Sequence, residues 1–216
     1  MFASMRRYRM RPEGVAEFTR RVDETFAEQI AAQPGFVSYE LIDCGGGDLF
    51  TLSIFLEPGQ AEASRAMARE WTEANLPDIE HTRLDAVHGE SVVSRAAPGM
   101  LDPAHVGDPR KSVSIRLQRL YRGSVADLLE RVDQMFADRM RAMEGFEASH
   151  LLDCGEGEVL WISVLRDADA VLEADERAVR FMREELADFR LEHVVSIRGD
   201  IPVSRAHTTL LETASA

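Results

Sequence analysis

The 216-residue sequence has a single lysine, Lys111, two cysteines, and no apolar run reaching the ~18 residues that a membrane span requires. Positive charge is scarce: 25 Lys and Arg stand against 38 Asp and Glu, for a net charge of −13. A surface of that sign repels a phosphate backbone unless its cations cluster, and no such cluster is visible. Nucleic acid and membrane are therefore both excluded as expected partners. The opening MFASMRRYRM places its arginines after its few apolar residues, the reverse of a secretory signal, so a cytoplasmic protein is expected. In that compartment Cys44 and Cys154 are expected to be free thiols, with no neighbouring cation to make them reactive.

What is present is a repeat. PGFVSYELIDCGGGDLFTLSIF at 34–55 aligns with EGFEASHLLDCGEGEVLWISVL at 144–165, and VSRA at 93–96 with VSRA at 203–206. The offset of 110 holds without a gap, and 27 of the 96 aligned positions are identical. This divides the chain into domains at 1–96 and 111–206. The linker at 97–110, with three prolines and two glycines, reads as an extended crossing strap, and 207–216 as a short polar tail or arm.

Each segment can be read twice. Residues 2–10 and 112–120 alternate as strands. Val15, Phe18, Val22, Phe26 and Ile30 recur at helical spacing over 14–33, matched by Val125, Leu128, Val132, Phe136 and Met140. Pro34-Gly35 ends that helix. Strands at 36–43 and 48–56 join through the glycine-rich turn 44–47. A tight hairpin is the better reading of that turn than a phosphate loop, because no helix follows it. A helix over about 60–76 and a strand over about 83–95 complete a β-α-β-β-α-β unit, the ferredoxin-like order. The predicted class is α+β: two such repeats whose sheets cover each other in an intramolecular dimeric α/β barrel. Further homodimerisation remains open.

The order of elements, the Pro-Gly-Phe before the second strand and the Trp/His-bearing second helix resemble the antibiotic-biosynthesis-monooxygenase family of the dimeric α/β-barrel superfamily. That resemblance implies a monooxygenase, with haem binding and degradation favoured and a cofactor-free oxygenase as the alternative. Its haem-degrading members carry an Asn on the first strand, a Trp on the second helix and a proximal His ten residues later. Trp71 and His81 are ten apart, and Arg7 stands at or beside the place of the Asn. The resemblance thus implies His81 as haem-iron ligand, with Trp71 and Arg7 against the cofactor. Its cofactor-free branch implies a phenolic or polyketide substrate held by Trp71, Arg7, Asn75, Tyr39 and Arg83.

The repeat supports the same choice. Arg7 matches Leu117, Trp71 matches Phe181, His81 matches Leu191 and Tyr39 matches Ser149. The first three, polar or functional residues facing apolar twins, place the expected pocket in the first half, pointing into the space between sheet and helices, and Tyr39 is likewise absent from the second half. The second half is then support. Plainer alternatives stand beside each assignment: Trp71 and Tyr39 as core packing, His81 as a cavity-edge or surface histidine, Arg7 reaching an acidic neighbour. A third class, a non-catalytic small-molecule binder, is also open. His88, His150 and His193 face charged twins and are expected at exposed or interface positions. The arginine pairs 6/116, 9/119 and 95/205, kept in both halves, are expected to be structural, with acidic partners.

Overall fold

The computed structural model describes residues 1–108 and 111–213, so positions 109 and 110 of the linker and 214–216 of the tail lie outside the described residues. The elements are β1 (Phe2–Met10), α1 (Pro12–Arg21), α2 (Ala27–Ala31), β2 (Phe36–Asp43), β3 (Asp48–Phe55), α3 (Pro58–Asn75) and β4 (His81–Ala96). They continue as β5 (Lys111–Arg122), α4 (Val125–Val132), α5 (Asp138–Arg141), β6 (Phe146–Gly155), β7 (Glu158–Leu165), α6 (Ala168–Glu185), β8 (Arg190–Ala206) and α7 (Thr209–Thr213). Local chemistry sets the helix starts. Pro58 opens α3 behind a Glu57/Gln60 capping box, and the Asp167 side chain accepts from the Ala170 N–H at the start of α6. The helix expected over 14–33 widens into a π-turn at Val22–Phe26, and its counterpart does the same at Asp133–Ala137.

The strands follow the hydrogen-bonded order β1-β3-β2-β8-β5-β7-β6-β4, which closes on itself as a barrel. The chain forms two compact units. Unit 1 comprises Met1–His88, Leu101–Arg110 and Gly199–Leu210; unit 2 comprises Gly89–Met100, Lys111–Arg198 and Leu211–Ala216. The two long strands thus change unit at Gly89 and Gly199, which are twins in the repeat. Each glycine is required by a close approach. A Cβ at Gly89 would lie 2.6 Å from the Asp153 carbonyl oxygen, and one at Gly199 would lie 2.7 Å from that of Asp43.

In unit 1, β1 and β2 each pair antiparallel with β3, and the end of β8 pairs antiparallel with β2, with Tyr39 opposite Arg205. The helices cover the sheet face that carries Tyr8, Tyr39, Leu41 and Leu49, packing Phe18, Phe26 and Trp71 against it. Unit 2 repeats the scheme, with Phe136 and Phe181 on β6 and β7. The arginines at the strand ends lock each unit. Arg205 binds Asp23 at 2.9 Å and Glu28 at 2.6 Å, and Arg95 binds Asp133 at 2.8 Å and Asp138 at 3.0 Å. Arg9 pairs with Asp48, Arg119 with Glu158, and Arg116 with Asp175. Arg6 is the exception among the retained arginines: no ion pair reaches it among the described residues.

One expectation outside the repeats is corrected. The linker is not a simple extended strap: Pro98–Leu101 forms a 3-10 turn, and Ala104 bridges to Ser204. Of the polar tail or arm expected from 207 onward, residues 207–213 form the arm: they contain α7 and bury Leu210 completely.

Candidate functional site

β1 decides which side chains reach the helices. Its even positions Ser4, Arg6, Tyr8 and Met10 face α1–α3, and its odd positions face the other way. Arg7 is therefore turned away from Trp71. Its guanidinium forms two hydrogen bonds to Asp48, at 2.9 and 2.6 Å, and lies 5.5 Å from the Phe50 ring centroid. The bond to Asp48 raises the Arg7 pKa and lowers that of Asp48. This corrects the expectation that Arg7 shares the sheet–helix space. Its twin Leu117 lies on the corresponding odd face of β5, so an apolar twin showed that the position packs, not toward which face.

Trp71 lies where expected, on the buried face of α3. Its ring is 5.0 Å from Phe26, and its indole N–H donates to Thr25 Oγ1 at 3.2 Å. Tyr39 is buried beside Phe26, centroids 5.4 Å apart in an edge-to-face pair, and burial raises its phenol pKa. These side chains border a small cavity whose polar wall is Arg6, Tyr8, Thr51 and Thr72. The cavity measures about 20 Å³, room for roughly one water.

The remaining candidates lie elsewhere. Asn75 ends α3: its amide donates to the Trp71 carbonyl, and its own carbonyl accepts from Arg21. Arg83 is exposed on β4. His81 opens β4 half-exposed, with Nδ1 2.8 Å from the Ile79 carbonyl oxygen and its ring 6.4 Å from Tyr8. A proton on Nδ1 bound to that carbonyl would leave Nε2 available for a metal. A macrocycle also needs volume. Cofactor sites run to ~300 Å³ or more; the cavity beside Trp71 is far smaller, and His81 does not line it. The residues as placed do not fit a haem. Among the described residues no group of three or more His, Cys, Asp or Glu could hold a metal ion, and no helix is long and apolar enough to cross a membrane.

Sequence reasoning missed Arg6. The residue is 5% exposed, one guanidinium nitrogen has no partner, and the nearby Thr51 hydroxyl is likewise buried and unpartnered. Desolvation lowers the Arg6 pKa, with Tyr8, Tyr39 and Arg65 the charges acting on it. Its twin Arg116 sits 2.6 Å from the buried Asp175 carboxylate, which also accepts from Ser114 Oγ at 2.6 Å and Arg198 at 2.5 Å. A signal for this was present in the sequence: Asp175 aligns with Arg65, a reversal of charge.

His150 corrects another expectation. It is buried, 3.0 Å from Ser94 Oγ, and burial pushes its pKa down to about 4. Cys44 and Cys154 are free, as expected, and burial raises their thiols to about 12 and about 11.

No family model matches the chain, and no curated protein matches its sequence. Solved structures do match its fold. A putative monooxygenase from Fusobacterium nucleatum aligns over 95% of this chain and 94% of its own, with a TM-score of 0.69 at 9% identity. The chlorite dismutase of Candidatus Nitrospira defluvii aligns over 100% and 95%, TM-score 0.56, 12% identity. An anthrone oxidase-like protein aligns over 95% and 92%, TM-score 0.53, 16% identity. At such identities the likeness is one of fold alone, and the fold is α+β.

Proposed function

We propose that the chain is a cofactor-free monooxygenase of a phenolic aromatic substrate, with its one working pocket in unit 1, and that its two ferredoxin-like repeats form the single-chain counterpart of a two-chain barrel. The observation that carries this reading is the aromatic cavity of Trp71, Phe26, Tyr8 and Tyr39 around the buried, partly unpartnered guanidinium of Arg6. Aromatic walls stack on a substrate ring, and a desolvated cation stabilises a phenolate. A substrate phenol held as its anion is the electron donor such chemistry needs, since it can reduce oxygen directly. Fold likeness to a putative monooxygenase and to an anthrone oxidase-like protein supports the same class.

A cavity of about 20 Å³ excludes a ring until side chains move. Tyr8 and Thr72 are only partly buried, so the opening belongs on their side of the pocket. Haem is the second reading. It rests on the Trp71–His81 spacing and on the His81 Nδ1 contact with a carbonyl, and it lacks the space.

Oxygen uptake by metal-free protein, offered an anthrone-type phenol, tests the proposal. Uptake is expected, and its loss in Trp71→Ala. Absence of uptake across a panel of phenols contradicts it. So does a haemin titration giving a Soret shift that His81→Ala removes, which would establish the haem reading instead.

A further inference from the structure

Arg6 in unit 1 lacks the counterion that its twin Arg116 has in unit 2. In unit 2 the Asp175 carboxylate occupies a seat formed by Ser114, Arg116 and Arg198, and it is 6% exposed. The twins in unit 1 are Ser4, Arg6 and His88, and the carboxylate itself is replaced by Arg65. The seat has kept its Ser-Arg pair, exchanged Arg198 for His88, and lost its acceptor. Ser4 Oγ, one Arg6 guanidinium nitrogen, Thr51 Oγ1 and Arg65 Nε are all buried with no hydrogen-bond partner. Ser4 is 2% exposed, Arg6 5% and Thr51 6%.

Burying a guanidinium without a counterion is costly, and adding a second cation at Arg65 raises the cost. The charges in this part of unit 1 repel. Burial lowers the His88 pKa first, then the nearby charges of Arg65, Arg6 and Arg83. Glu62 pairs with the outer end of Arg65 and is itself well exposed, so it does not neutralise Arg6.

From these observations we infer that unit 1 carries a binding site for a carboxylate-bearing small molecule, whose carboxylate takes the place among Ser4, Arg6 and Arg65 that Asp175 fills in unit 2. The choice of a carboxylate follows from the twin: the same Ser-Arg pair holds one there, in the chain's own covalent form. Arg6 and Thr51 also border the aromatic cavity, so a carboxylate attached to a ring directs the ring toward Trp71. The site stands on charge and geometry and does not require oxygen chemistry.

The test is thermal unfolding against sodium benzoate and sodium acetate, with sodium chloride at matched ionic strength as reference. For the wild type, a saturable rise in Tm with benzoate beyond that in chloride is expected. Arg6→Gln should weaken the apparent affinity by about tenfold or more. Arg65→Asp restores the acid that unit 2 possesses; it is expected to raise Tm without ligand and to abolish the benzoate response. A wild type that responds no more to benzoate or acetate than to chloride overturns the inference. So does an Arg65→Asp protein whose benzoate response equals that of the wild type. If the benzoate response is present but phenols drive no oxygen uptake, this site survives and the oxygenase reading falls.

Discussion

At the scale of single residues, aligned positions with reversed chemistry are the most informative. Arg116 and Asp175 form a buried pair in unit 2, whereas Arg6 and Arg65 face each other as like charges in unit 1. Removing the acid from a buried pair leaves its partner uncompensated, so Asp175→Ala is expected to destabilise by about 3–5 kcal/mol in urea unfolding. Removing Arg65 relieves a repulsion, and Arg65→Ala should be near neutral or stabilising. Equal losses in the two variants would contradict this asymmetry. His150 gives a pH signature. Its folded pKa is depressed to about 4, below the ~6.5 of an unfolded histidine, so the unfolded state binds more protons between those values. Stability should therefore be full above about pH 6.5, fall by about 3 kcal/mol toward pH 4, and level off below it. In His150→Gln, measured by denaturant unfolding across this range, that portion of the slope should vanish.

Strand parity explains why one site residue was legible and another was not. Trp71 could be placed from helical spacing, because a helix has one buried stripe. β1 is largely buried on both faces, so a polar residue opposite an apolar twin says nothing about direction. Arg7 and Arg6 differ by one residue and point to opposite sides of the sheet. An apolar twin singles out Arg7, while retention in both halves gives Arg6 the signature of scaffold. The exchange of Asp175 for Arg65 was readable from the same alignment. A reversal of charge, unlike a polar-for-apolar change, leaves the hydropathy pattern of the helix unaltered. At this scale Gly199 makes a further prediction. A methyl there meets the Asp43 carbonyl oxygen at 2.7 Å and the Ile42 side chain at 2.8 Å, so Gly199→Ala should destabilise by about 1–3 kcal/mol in thermal or denaturant unfolding. No measurable change would mean that β2 and β8 approach less closely than described.

For the whole molecule, the repeat made the element order readable, since each segment was tested twice against helix and strand periodicity. It did not reveal that β4 and β8 each divide between two compact units. Strand pairing between segments far apart in sequence leaves no local mark except the twin glycines and the Arg95 and Arg205 ion pairs. Of the two similar units, unit 2 fills its polar seat with its own aspartate, whereas in unit 1 the matching Ser4 and Arg6 have buried polar atoms without a partner, and Arg6 borders an aromatic cavity. The two tryptophans report on these places separately: Trp71 borders the cavity of unit 1, and Trp161 borders the sealed seat of unit 2 with Arg116 and Asp175. The most direct test of a single working pocket is therefore fluorescence titration of Trp161→Phe and Trp71→Phe with an anthrone-type phenol. Saturable quenching in the protein that keeps Trp71, and none in the protein that keeps Trp161, is the predicted result. Quenching confined to Trp161, or equal in both proteins, would contradict it.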